Sequence, residues 1–351
     1  MKDAGHRETV EAALRFEKTD RTPVNNFALV TAARSAGYLV KDARYAPDIS
    51  AKTSVDYAMK TKSDFVKPIL DSQIAFIDMG MDVNLPDDDY GRVRSTLIHD
   101  LSEIDDLAFF DPSRASECPC FDKCIVQALN RTSEILPEDL HICGLSWGPI
   151  STAGYLVGAE DLILNIMMGE EEAMSKLIQK CAAFVGEQQK VMIDAGATVM
   201  WMADPTSSED LISPDMFPLS LSGMKTAIKS VKGAYSDITS FLHVCGNTVD
   251  LIPQVADVGA DCFSFDHAVD PALAREKAGK SVALMGNIDP VSYMMNGEPA
   301  GITKECYRII EACGSESGFI LAPGCETPIS SPDENVLAMG MAGINYWKDR
   351  N

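Results

Sequence analysis

The chain lacks any apolar run long enough to cross a bilayer, for which roughly 18 or more apolar residues in succession are needed. Its opening stretch, MKDAGHRETVEAALRF, is charged and patterned for a helix, without the apolar core of a secretory signal. Both absences lead us to expect a soluble, cytoplasmic protein. Basic residues are outnumbered, 30 Lys and Arg against 52 Asp and Glu, for a net charge of −22. A field of that sign repels phosphate backbones and anionic headgroups, so nucleic acid and membranes are not expected partners. No strand-like run is followed by G-x-G-x-x-G, which removes the dinucleotide-binding form of a doubly wound sheet. Low-complexity tracts and short repeats are missing too. Ten cysteines are present. In a cytoplasmic protein thiols stay reduced, so these are core residues or metal ligands rather than a disulfide framework.

What is present is alternation. The chain has 351 residues, 46% of them hydrophobic, enough for one long α/β barrel. Eight short β-rich runs fall at 24–28, 64–69, 141–146, 198–204, 240–246, 261–267, 282–289 and 318–324. Helical patterns separate them. The stretch 159–196 holds two helices, and 213–233 opens with Ser213 as N-cap and Pro214 at the first helical position. Short helices at 250–259 and 271–279 end at glycine. Strands alternating with helices mean parallel pairing and right-handed crossovers, and eight such units predict a (β/α)8 TIM barrel. Residues 85–140 fit the repeat poorly. They are acidic and proline-rich, and read as an excursion over one end of the barrel, with a hairpin in YGRVRSTLIHD. No domain boundary is evident, so we expect a single barrel domain over 1–351.

In such a barrel the active site lies at the C-terminal ends of the strands. Those ends carry Asp204, His243-Val-Cys245-Gly246-Asn247, Asp266-His267, Asn287 with Asp289, and Gly324-Cys325-Glu326. Residues i and i+2 of a strand face one side, so His243 and Cys245 can reach one ion. Taken alone, the pair better suits a buried strand with a satisfied histidine and a small apolar cysteine. Cys325 changes the balance, because it ends the last strand as the pair ends the fifth. One imidazole and two thiolates would then meet at the barrel mouth. Three protein ligands with a fourth position open is the pattern of catalytic zinc. Zinc held this way can lower the pKa of a substrate thiol or act as a Lewis acid on an ether oxygen.

Several motifs along the chain resemble the uroporphyrinogen decarboxylase-like superfamily, in particular its zinc-dependent corrinoid methyltransferases. They are RETVEAALRFEKTDRTPV (7–24), GPISTAGYLVGAEDLI (148–163), DAGATVMWMADPTSSEDLISPDMF (194–217), HVCGNT (243–248), ALMGNIDP (283–290) and GFILAPGCETPISSPDENVLAM (318–339). The resemblance implies a TIM barrel, with zinc on His243, Cys245 and Cys325. It implies methyl transfer between a cobamide, carried on a corrinoid protein, and a small zinc-bound substrate. That substrate is a thiol such as coenzyme M or a methylated donor such as a methyl ether. The competing branch is a cofactor-free decarboxylase that holds a polyanionic porphyrinogen with N-terminal arginines. Here TAARSAGYLVKDARY supplies Arg34 and Arg44 without the paired spacing or the cation cluster such a substrate needs.

Around the proposed ligands, Asp204 and Asp266 are candidates to orient His243 or contact substrate, against a bland role as loop caps. Glu326 is a candidate fourth ligand in the substrate-free state. Asn247 suits substrate binding or a turn after Gly246, and Asn287 and Asp289 are similarly placed. Cys118, Cys120 and Cys124 invite a second metal, but their spacing is not C-x2-C and no histidine lies nearby. The 17 methionines are read as core filler, or as apolar lining for a corrinoid face.

Overall fold

Each predicted β-rich run becomes a strand or a bridge. The computed structural model describes residues 5–68, 71–137, 139–314 and 317–348. Seven parallel strands form one sheet: β2 (Phe65–Val66), β3 (His141–Trp147), β4 (Val199–Ala203), β5 (Thr239–Val244), β6 (Cys262–Phe265), β7 (Ala283–Ile288) and β8 (Phe319–Pro323). Sequence neighbours pair in order, as expected of βα units. The first run contributes a single bridged residue, Val24, which we label β1. It closes the ring. Asn25 N–H donates to the Leu321 carbonyl, Leu321 N–H to that of Pro23, and Asp64 N–H to that of Val24. The result is the expected (β/α)8 barrel.

Side chains alternate along the strands. One buried cluster holds Trp201, Phe241, Cys262, Met285 and Ile320, which fill the lumen. Their neighbours Leu242, Phe263, Leu284 and Leu321 belong to a second cluster, built with the surrounding helices. The lumen is thus a packed core beneath an open mouth.

Two local expectations shift. The hairpin pairs Val83–Asn84 with Arg92–Val93, so its first arm lies upstream of YGRVRSTLIHD. The second half of that motif has another partner, since Leu97 and Ile98 both donate N–H to the Leu156 carbonyl. Residues 213–216 do not start the next helix directly. A 3-10 turn, Pro214–Met216, precedes the helix Phe217–Ala234, and the Ser213 side chain makes no capping bond. Elsewhere the stretch 159–196 forms two helices, Ala159–Met167 and Glu171–Asp194. The segment before Gly259 is a 3-10 helix, Ile252–Val258. Among the described residues no helix is long and apolar enough to cross a membrane.

At the opposite end from the mouth, Asp64 ties the ring together. It is fully buried and takes two bonds from the Arg21 guanidinium, at 2.9 and 2.5 Å. It also meets His6 Nδ1 at 2.7 Å and accepts the Val24 N–H at 2.7 Å. Burial alone would raise its pKa, but these donors outweigh it and hold the carboxyl below its usual range.

Candidate functional site

Strand β5 delivers His243 to the lumen face near its C-terminal end, and the chain passes through Cys245 into Gly246. There φ is +75°, and a Cβ would sit 2.2 Å from an Asp210 carboxylate oxygen. Glycine is therefore required at the turn that ends the ligand pair. Cys325 arrives from β8 through Gly324. A Cβ at 324 would lie 2.4 Å from the His267 backbone nitrogen, so this glycine lets the two loops touch. The loop beyond Cys325 is stitched to the first loop of the barrel. Thr327 N–H donates to the Phe27 carbonyl at 2.8 Å, and its hydroxyl to that of Asn26 at 2.7 Å.

The three side chains converge. His243 Nε2 lies 3.1 Å from Cys245 Sγ, which lies 3.4 Å from Cys325 Sγ. One ligand atom from each residue falls within 4.8 Å of the others, and among the described residues this is the one such group of His, Cys, Asp or Glu. The histidine is buried at 2% exposure, while both cysteines are half-buried. A tetrahedral zinc would hold two thiolate sulfurs about 3.8 Å apart, and a nitrogen about 3.6 Å from a sulfur. Both separations lie within about 0.5 Å of those values, so the donor set suits zinc. The S–H of Cys245 first, then His243 and the Glu326 N–H, stabilise charge on Cys325 and hold it below the usual thiol range. Cys245 is correspondingly pushed up.

The ring of His243 is oriented by Ser264, whose Oγ lies 2.9 Å from Nδ1 and whose carbonyl lies 3.2 Å away. This contact follows from register, because His243 pairs with Ser264 across β5 and β6. Bonding at Nδ1 leaves Nε2 for a metal. Phe27 packs edge-on against the imidazole at 5.3 Å, with Trp201 beside it at 6.1 Å.

The other sequence-predicted residues lie elsewhere or face elsewhere. Asp204 does not reach His243 through its side chain. Its carboxylate accepts the Ser151 N–H at 2.8 Å, at the start of the helix Pro149–Val157. It is completely buried, one oxygen has no partner, and burial raises its pKa to about 7. Asp266 bonds its own loop through the Ala268 N–H and meets His267 Nδ1 at 2.7 Å, although its charge is felt at Cys245. Asn247 spends its side chain on Glu209 and the Val249 N–H, as a turn residue does. Asn287 donates to the carbonyls of Asp266 and Val269, and Asp289 caps the following turn. Glu326 is absent from the convergent group. Its carboxyl meets the backbone N–H groups of Leu29 and Val30, burial raises its pKa, and Oε1 has no partner. Cys118 turns its sulfur to backbone carbonyls, and among the described residues no metal-like group forms with Cys120 or Cys124. Arg34 is engaged by Asp333, and Arg44 by Asp71 and two loop carbonyls.

The convergent group opens onto a cavity of about 320 Å³ whose wall includes His243, Cys245, Cys325 and Glu326. Phe27, Leu29, Leu145, Trp147 and Pro205 make it largely apolar, and the hairpin covers one side through Tyr90 and Arg92. Sequence reasoning missed Ser264, Tyr90 and Trp147. Only Ser264 left a trace, as a small polar residue on the lumen phase of the run CFSF.

The uroporphyrinogen decarboxylase (URO-D) profile matches residues 6–344. The chain belongs to that family. Among URO-D relatives, a methylcobamide:CoM methyltransferase of Methanosarcina acetivorans is 27% identical over 223 residues, 63% of each chain. A uroporphyrinogen decarboxylase of Hordeum vulgare is 28% identical over 216 residues, 60% of this chain and 64% of the relative. These alignments thus span less than two thirds of the curated relatives' lengths. A solved methyltransferase from Methanosarcina mazei superposes with a TM-score of 0.83 over 98% of this chain and 99% of its own, at 21% identity. That likeness speaks for the fold. Methyltransferases and decarboxylases thus both occur among the relatives, and the site must separate them.

Proposed function

We propose that the chain is a zinc-dependent methyltransferase that moves a methyl group between a cobamide, presented by a corrinoid protein, and a small substrate in the mouth cavity. The observation that carries this reading is the convergence of His243, Cys245 and Cys325 on one point at the cavity wall. Two thiols and an imidazole have no use in a metal-free decarboxylation, whereas they form a zinc donor set with a coordination position left over. The relatives named as methylcobamide:CoM methyltransferases support the same chemistry. The metal, when bound, would act as a Lewis acid, lowering the pKa of a substrate thiol or polarising an ether oxygen.

The chain's own residues do the rest. Ser264 keeps the imidazole in the tautomer that exposes Nε2. Cys245 and Cys325 would each give up a thiol proton on meeting a cation. The apolar wall excludes water from the reacting atoms. The decarboxylase reading needs cations in the pocket for a polycarboxylate. Among the described wall residues only Arg92 is cationic, and it is paired with Asp89 at 2.7 Å.

The test is zinc per chain by elemental analysis, for wild type, Cys245→Ala and Cys325→Ala. About one zinc in the wild type, lost in both variants, is expected together with methyl transfer to or from free cobalamin. A wild type that takes up no added zinc would overturn the reading.

A further inference from the structure

Lys67 follows directly on β2 and is only 3% exposed, yet the chemistry proposed above gives it no part. Its ammonium is met by two amide oxygens rather than by a carboxylate, Asn25 Oδ1 at 2.6 Å and Asn26 Oδ1 at 3.1 Å. The Trp201 ring lies 5.9 Å away. Burying a cation against neutral partners is unfavourable, and a place that needed only packing would carry an apolar side chain.

The two asparagines show what the lysine does. An ammonium offers only donors, so both amides must turn their oxygens toward it. The same two oxygens accept the N–H groups of Phe27, at 2.9 Å, and of Ala28, at 3.3 Å. Those bonds hold Phe27 at φ +38°, a left-handed backbone that a bulky residue seldom adopts. The amide nitrogens are then directed at Met285 Sδ, 3.4 Å away, and at Thr61 Oγ1, 3.0 Å away. An Asn25 amide turned the other way would set its NH2 against the Phe27 N–H, donor against donor. The loop held in this way touches both halves of the metal-type group. Phe27 sets its ring edge-on to the His243 imidazole at 5.3 Å and tilted against Trp201 at 4.4 Å. Its carbonyl and that of Asn26 accept from Thr327, two residues beyond Cys325, at 2.8 and 2.7 Å. The Leu29 and Val30 N–H groups hold the Glu326 carboxyl, immediately after Cys325. His243 and Cys325 arrive on strands that are not neighbours in the sheet, and this loop bridges them.

We infer that Lys67 is a positioning residue for the metal centre. It fixes the amide orientation of Asn25 and Asn26, and through them seats Phe27 against His243 and ties the Cys325 loop to the first loop of the barrel. The inference rests on the methyltransferase reading for its purpose, while the brace itself is measurable on the metal-free chain.

The experiment compares wild type, Lys67→Met and Lys67→Gln by two measurements. Methionine keeps an unbranched stem without a donor, and an apolar group in place of a buried charge is generally tolerated by a fold. Glutamine keeps an uncharged donor and is read by the same criteria if Lys67→Met does not fold. The first measurement is amide hydrogen exchange on metal-free protein, and the second is zinc affinity by competition against a chelator of known affinity. In Lys67→Met, exchange in the peptides carrying Phe27, Ala28 and Thr327 should quicken about 5- to 10-fold, with the rest of the barrel unchanged. Zinc affinity should fall about tenfold, and Lys67→Gln should recover part of both losses. Unchanged exchange in those peptides would overturn the inference. So would faster exchange throughout the barrel, the mark of a lysine that serves only the fold, or wild-type zinc affinity in a variant whose loop has loosened. A wild type that takes up no zinc, with exchange quickened in those peptides alone, would uphold the brace while defeating the zinc reading.

Discussion

Removing the Ser264 hydroxyl tests the proposed metal centre without touching a proposed ligand. Ser264 is fully buried, and its Oγ is the nearer of two groups on His243 Nδ1. Loss of such outer partners generally lowers metal affinity 10- to 100-fold. Here the Ser264 carbonyl stays 3.2 Å from the same nitrogen and retains part of the hold. The lower end of the range is therefore expected for Ser264→Ala, about tenfold or ~1.4 kcal/mol. The assay is competition for zinc against a chelator of known affinity at pH 7.5, with thermal melting run alongside to show an intact fold. Ser264→Thr keeps the hydroxyl and should recover most of the affinity. Wild-type zinc affinity in Ser264→Ala would refute the reasoning, because the ring would then be oriented by the barrel alone. A loss as complete as that of Cys325→Ala would refute it differently, by making the serine a ligand.

Other outcomes follow from groups outside the metal-type set. Asp204 is raised from 3.8 to about 7 by burial, which corresponds to about 4 kcal/mol. A raised acid contributes stability that is full below pH 3.8 and lost as pH climbs through about 7. Asp204→Asn keeps an acceptor for the Ser151 N–H, so its melting temperature relative to wild type should be higher at pH 8 than at pH 5. The opposite trend would remove Asp204 from the account. Asp64 is depressed by its donors, so its contribution is present at neutral pH and fades as pH falls below about 4. Asp64→Ala leaves the Arg21 guanidinium and the Val24 N–H unpaired, and chemical denaturation should show a loss of about 3–5 kcal/mol. Gly324→Ala drives a Cβ against the His267 backbone and should displace Cys325. Weakened zinc binding in a protein that still folds is the expected result, read by the same chelator competition.

Much of the fold was legible because each layer repeats. The eight β-rich runs all reach the ring, since strands buried on both faces read as short apolar runs between helices. The weakest is the first, where only Val24 bridges. The hairpin was misplaced because its turn chemistry, PDDDYG, sits between its arms, and the downstream half of the motif is captured by the Leu156 carbonyl instead. At the site, His243 and Cys245 were readable from their spacing, and Cys325 from its place at the end of the last strand. The carboxylates were readable two ways, as groups at the site or as loop caps. Asp204 and Asp266 stand at strand ends, as catalytic acids do, yet one caps a helix and the other stays within its loop.

The order of residues alone set the kind of fold, the strands and the three metal-type side chains, because period, turn residues and ligand chemistry are local properties. Which side chain supports the histidine, and what faces it across the cavity, are not local. Ser264 meets His243 through cross-strand register, 21 positions away in the chain. Tyr90 and Trp147 share a wall with Cys325 because a hairpin folds over a closed ring. Ring closure brings β8 to β1 and sets Cys325 beside Cys245 across 80 residues. Distances of that kind exist only after the barrel has closed.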